Sequence, residues 1–372
     1  MKVIRDKVTL SLCETPQEKF QDWTGLYSHL AGDKIFYRLD KPAQICYAIK
    51  DGDYYIKPQN NVVLSNTLAI QNFRVFIDTN PATPEDERYK AIGGYHTSKT
   101  HSDLKGCSVT ENSKMLPAEN PCWPEEERLL MEDNFQHPRH ANGFYIFKSP
   151  DGIKWELYHK KPVLSAFTVC EENILGSDSM PSIFYDRNIE EYVLYLRCNI
   201  KLGVRHVFYT KSKDLINWDK PRLITKDPCF DFNHENLYFM GAYPLNEKNK
   251  YISFSHHFKN EILSSDGSHR RYYDRRTKIM LSDDGLHWKE IGNLFAEEKD
   301  TWKIENRESG CVKSLSTHLG PPHVISFKEN VNHYCLYVLE GICTQETKIL
   351  QYLINKNDLN KALDAVKITK RG

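Results

Sequence analysis

No stretch of the sequence approaches the roughly 18 consecutive apolar residues that a membrane-spanning helix needs. Net charge is also missing: Lys plus Arg and Asp plus Glu balance at 50 each. No global field therefore recruits nucleic acid or an anionic membrane. Cysteine pairs are absent. The ten cysteines stand singly, with no CxxC, so structural zinc and a disulfide framework are not expected, and buried free thiols are. No metal ligand set or cofactor is expected. There is no Gly-rich phosphate loop, no HExxH and no nucleophile elbow, which sets aside nucleotide hydrolysis, zinc proteolysis and serine hydrolase chemistry. The first twenty residues lack a continuous apolar core and a small-residue cleavage site, so they read as mature protein and the expected location is cytoplasmic. Helical periodicity is scarce, confined to "TPQEKFQDWTGLYSHL" (15–30) and the tail "NKNDLNKALDAVKI" (355–368).

What is abundant is aromatic: 12% of the chain, with 21 Tyr and 17 Phe. Against that background one pattern repeats. "SPDGIKW" (149–155), "SKDLINW" (212–218) and "SDDGLHW" (282–288) all fit S-x-D-x-x-x-W. Each follows a run of aromatic and β-branched residues, and each reads as strand, tight turn, strand. Ser and Asp side chains can accept turn amides, Gly tolerates positive φ, and Trp can pin the hairpin to a neighbour. These residues are expected to hold turns and touch no ligand.

Between the hairpins lie further strand pairs, with units beginning near 73, 182, 238 and 322. "KIFYRL", "AQICYAIK" and "DYYIKP" between 20 and 66 can complete a fifth. Four strands per unit, at a spacing of about 65 residues, predict an all-β protein: a five-bladed β-propeller with four-stranded antiparallel blades. The expected division is an N-terminal segment, 1–60, contributing strands to a propeller at 61–372. The long period and the lack of WD or kelch signatures argue against a protein-interaction propeller.

Five segments carry a more specific likeness: "NFRVFIDTNPATPEDERYKAIGG" (72–94), "SPDGIKW", "DSMPSIFYDRNIEEYVLYLR" (178–197), "ENLYFMGA" (235–242) and "SDDGLHW". In this order they resemble the five-bladed glycosidase superfamily, related to the family 32 invertases and levanases and the family 43 arabinanases and xylosidases. Uncharacterised bacterial relatives are the nearest pattern, over roughly residues 60–315.

The resemblance implies cleavage of a glycosidic bond by carboxylates at the channel. One protonates the leaving oxygen while another attacks or activates water. It places the general acid at Glu235 and a supporting carboxylate at Asp178. Asn72, Asp78, Arg197, His234, His256, Arg307 and Glu308 are the candidates for contacts with sugar, although Asp78 also fits a turn. The first matched blade offers Asn72 where an attacking carboxylate is expected, leaving Asp53 or Glu308 as alternatives. Pro181 stands where relatives show Asn. The implied ligand is an oligosaccharide or glycoconjugate.

Basic clusters at "SHHFKN" (255–260) and "SHRRYYDRRTK" (268–278) suit a solvated loop or an oxyanion. These clusters leave a phosphate-dependent phosphorylase as one alternative, and the missing carboxylate on the first blade leaves a non-catalytic glycan-binding propeller as another.

Overall fold

The computed structural model describes residues 3–13, 28–40, 43–65, 68–70, 72–97, 143–165, 174–177, 179–200, 205–231, 235–245, 250–262, 270–294, 307–308, 311–312, 323–340 and 348–365. It is a five-bladed β-propeller. Blade I runs through His29–Ala31, Lys34–Asp40, Ala43–Asp51 and Tyr54–Ile56. Blade II uses Arg74–Ile77, Tyr89–Thr97 and Gly143–Ser149, with Glu156–Leu157 and Leu164–Ser165 outermost. Blade III is built from Ser182–Asp186, Glu191–Ile200, Arg205–Ser212 and Arg222–Leu223, and blade IV from Glu235–Leu245, Lys250–Ile262, Arg270–Ser282 and His287–Asn293. In blade V, His323–Glu329, His333–Glu340 and Lys348–Asn355 are completed by Val3–Cys13 from the other end of the chain.

This closure explains a nine-stranded ladder spanning blades V and I. Val3–Cys13 pairs antiparallel with Lys348–Asn355 and, through Ser11–Cys13, parallel with Tyr54–Ile56. Ile174–Ser177 likewise bridges blades II and III through His96 and Thr97. Joining the chain ends removes the exposed edge that an open ring would leave.

The cores lie between blades. One apolar cluster fills each of the five interfaces, from Phe36, Phe73 and Trp155 between I and II to Ile35, Ala48 and Leu339 between V and I. This is where the aromatic excess goes. Each fully buried aromatic side chain contributes about 1.5–3 kcal/mol relative to exposure.

The repeated hairpins join the third and fourth strands, and their bonds follow the expectation from sequence. The Asp151 Oδ1 accepts the amides of Ile153 (2.8 Å) and Lys154 (2.9 Å). Ser149 Oγ accepts that of Gly152 at 2.9 Å, and Trp155 Nε1 donates to the Gly152 carbonyl at 2.9 Å. Asp214 and Asp284 repeat the two-amide arrangement. Gly152 and Gly285 take φ of 75° and 77°, and Leu215 meets the same requirement at 65°. The Trp in each case leans toward the preceding blade: Trp288 packs on Tyr195 of blade III.

Blades I and V vary this device. In blade I, "KDGDYY" keeps the turn through Gly52 (φ 58°), and buried Tyr55 takes the place of Trp. In blade V the turn gives way to the helix Lys356–Ala365, started by Asn355 Oδ1 accepting the Asn357 amide at 2.9 Å. Its Leu359 and Leu363 fill the core between IV and V. The helical expectation for the tail is thereby met. That for 15–30 is not met at its end, where His29–Ala31 is inner strand of blade I and the rest lies outside the described residues. Cys46, Cys198 and Cys335 are buried free thiols, and Cys229 is exposed. Among the described residues no helix is long and apolar enough to cross a membrane.

Candidate functional site

The starts of the inner strands gather at one mouth of the axial channel. On blade II, "QNFRV" turns sharply into the inner strand. Asn72 adopts φ 60°, which Asn tolerates better than most residues, and its Nδ2 donates to the Gly94 carbonyl at 2.9 Å. The double glycine of "AIGGY" is needed there. A Cβ on Gly93 would lie 2.3 Å from the Ala69 carbonyl oxygen, and one on Gly94 would lie 2.1 Å from that of Gly143. Asn72 is thus wholly buried and engaged with backbone.

Two residues on, Arg74 is 7% exposed. Its Nη1 reaches the Met180 Sδ of blade III at 3.8 Å, and its guanidinium interacts with the Tyr243 hydroxyl on the inner strand of blade IV. A side chain from blade II meeting the inner strand of blade IV crosses in front of blade III, over the channel. Burial lowers the Arg74 pKa from its usual value, yet guanidinium does not lose its proton in proteins. Among the described residues neither Arg74 Nε nor the Tyr243 hydroxyl has a hydrogen bond of standard geometry.

On blade IV, β-bulges re-aim side chains. Pairing shifts between Leu237 and Phe239, leaving Tyr238 outside the ladder. The Arg197 guanidinium lies 4.4 Å from the Tyr238 ring centre and that of Arg205 5.5 Å. Asn236 Oδ1 accepts the Arg205 amide at 2.9 Å, tying the blades together. His256 is buried with its ring edge-on to Phe239. Burial, with Lys278, Lys226 and other histidines near it, holds His257 well below the ordinary imidazole pKa. Burial also pulls His206 down to about 4.

Glu235 opens the inner strand of blade IV and is half-buried. Its Oε2 meets Lys226 Nζ at 3.3 Å and the Asp231 amide at 3.3 Å. Lys226 also binds Glu290 at 3.1 Å, and Glu290 binds Lys278 at 2.7 Å. Burial opposes ionisation of Glu290, but the hydrogen bond and charge of Lys278, with Lys226, outweigh it and leave the carboxyl below its ordinary pKa. Two lysines and two glutamates thus balance one another beside the mouth.

Asp78 stands apart, at the far end of the blade II strand, about 20 Å from Asn72 at roughly 3.3 Å per residue. It is buried and accepts from the Asn80 amide (2.9 Å), Thr83 Oγ1 (2.8 Å) and the Tyr192 hydroxyl (2.9 Å). Those are the bonds of a turn. A cleft of about 740 Å³ opens at that opposite end, lined by Asp78, Arg88, Tyr89 and Tyr185 among others. The structure thus places Arg197, Glu235 and His256 around the first residues of the blade IV inner strand, puts Asn72 at the start of that of blade II, and leaves Asp78 at the opposite end of the blade II strand. Asp178 and His234 lie outside the described residues, as do the side chains of Arg307 and Glu308, whose backbone pairs with Cys311–Val312. Arg74, Tyr243, Lys226 and Glu290 were not singled out from the sequence. For Arg74 one signal existed, a cation interrupting the apolar run "NFRVFI".

No known family model matches this chain, and no curated protein matches it in sequence. Solved structures do resemble it in fold. One, described as a glycoside hydrolase, aligns with TM-score 0.50 at 12% identity, over 99% of this chain and 96% of that one. BT0996, in an RGII complex, aligns with TM-score 0.50 at 11% identity, over 94% and 92%. An endo-arabinase from Bacteroides thetaiotaomicron gives 0.48 at 10% identity, over 91% and 95%. At such identities the likeness is one of fold.

Proposed function

We propose that this chain is a carbohydrate-active enzyme that cleaves a glycosidic bond at the mouth where the inner strands begin. Glu235 is the observation that carries the reading. It places a half-buried carboxylate at the start of an inner strand, three residues from Tyr238. A carboxyl group so placed is of the kind that protonates a leaving oxygen in general acid catalysis. The likeness of fold to a structure described as a glycoside hydrolase supports the same assignment. Asp178 is the proposed partner carboxylate, and the segments shared with the family 32 and 43 relatives support that pairing. One carboxyl gives its proton to the leaving oxygen as the bond breaks. The other attacks the anomeric carbon or takes a proton from the water that does.

A second reading, glycan binding without turnover, is favoured by one contact. Glu235 is already engaged by Lys226 and the Asp231 amide. Both readings meet one experiment: release of p-nitrophenol from a panel of furanosides and pyranosides, with and without phosphate, by wild type and Glu235→Gln. Glu235→Gln is expected to lower turnover at least a hundredfold while leaving the unfolding temperature unchanged. Undiminished turnover in the variant would end the assignment of Glu235. Glycan binding with no product at high enzyme concentration would favour the second reading, and phosphate dependence would make the enzyme a phosphorylase.

A further inference from the structure

Among the described residues, Arg74 is a channel cation whose position asks for something more. Lys226 and Lys278 are matched by Glu235 and Glu290 within 3.3 Å. Arg74 instead sits among Met180, Tyr243 and backbone, with no carboxylate within ion-pair distance among the described residues. Buried charges are retained where they are paired or where they meet a ligand. The Arg74 Nε and the Tyr243 hydroxyl, brought together from blades II and IV, are both buried, and neither makes a hydrogen bond of standard geometry among the described residues. A guanidinium with a neighbouring hydroxyl donor matches two oxygens of one oxyanion, which Arg binds in a planar, bidentate fashion.

We propose that the channel receives an oxyanion where blades II, III and IV meet, with Arg74 and Tyr243 as its donors. Its chemistry is that of a carboxylate or sulfate carried on a sugar, or of free inorganic phosphate. The sugar-borne form rests on the glycan-acting reading above; the oxyanion site itself does not.

The test is calorimetric titration of the full chain with a galacturonate trisaccharide, a sulfated disaccharide, their neutral counterparts, and inorganic phosphate and sulfate. It is run on wild type, Arg74→Met and Arg74→Lys, with unfolding temperatures measured alongside. Acidic saccharides are expected to bind at least tenfold more tightly than neutral ones. Arg74→Met should erase that preference, and Arg74→Lys should retain part of it. Competition by phosphate in wild type gives the same answer should Arg74→Met not fold. Equal binding of acidic and neutral sugars would overturn the oxyanion site and leave the glycan reading standing. Phosphate or sulfate binding that depends on Arg74, with no saccharide bound, would uphold the site as one for a free ion and count against the glycan reading. Binding of no probe would overturn both.

Discussion

On the outer rim, Asp151, Asp214 and Asp284 each accept two backbone amides inside a single turn, and their charge is satisfied within three residues of sequence. Within the ring, Arg74 finds Met180 and Tyr243, and His257 is buried without a hydrogen-bond partner among the described residues. The first arrangement builds blades; its polar groups have little left to offer a ligand. The second is costly to the fold unless something else meets those groups. Repetition therefore marks the part of this chain that is structural. Departure from repetition marks the part suited to chemistry.

The largest effect should come from breaking the rim where it enters a core. Trp288 is 1% exposed and contacts Tyr195 and Tyr251 across the interface between blades III and IV. Trp288→Ala is expected to cost about 3–5 kcal/mol in urea denaturation. Trp218→Ala, from a half-buried position, should cost clearly less; equal losses would show that the hairpins act only as turns.

The next effect separates the two regions by pH. His206 is nearly fully buried, and its pKa falls from 6.5 to about 4, chiefly by burial. The unfolded chain takes up this proton near pH 6.5, while the fold resists until about 4. Stability from this group is therefore complete above 6.5 and lost as pH falls toward 4, by at most about 3 kcal/mol. His206→Gln keeps an acceptor for the Val207 amide and removes the titration. Its stability should change less between pH 6.5 and 4 than that of wild type, and an unchanged slope would count against the burial argument.

The smallest effect belongs to an exposed turn. Burial raises the Asp214 pKa, but the Asn217 amide and side chain, the Ile216 amide and Ser212 prevail and hold it at about 2. The contribution is present above the ordinary value of 3.8 and lost as pH falls toward 2. Discounted for solvent screening, it amounts to less than about 1 kcal/mol. Acid unfolding of Asp214→Asn should lack that increment. The mouth is thus expected to weaken before the rim as pH falls.

Much of the fold was readable because its signals are short. A Ser-x-Asp turn declares itself within seven residues, and the alternation before it declares a strand. Blades I and V were harder to read for the same reason. Tyr55 replaces Trp in one, and the helix Lys356–Ala365 replaces the hairpin in the other, so the pattern is missing although the role persists. The candidate site was readable only in part. Glu235 could be placed at an inner strand from its segment, but not its turn toward Lys226. Asn72 could be placed at the mouth, but not its donation to Gly94. Asp78 could be read as a turn residue at the far end of its strand, beside Asn80 and Pro81, but not its bonds to Thr83 and Tyr192.

The sequence by itself determined the turns, the strand pairs and the number of blades, since each rests on hydrogen bonds among residues close along the chain. Only the tertiary structure decided how the ring closes and what meets at its mouth. Val3–Cys13 finds Lys348–Asn355 from the far end of the chain, and Arg74 meets Met180 across 106 residues. Such contacts leave little local pattern, because what brings them together is the packing of whole blades around an axis.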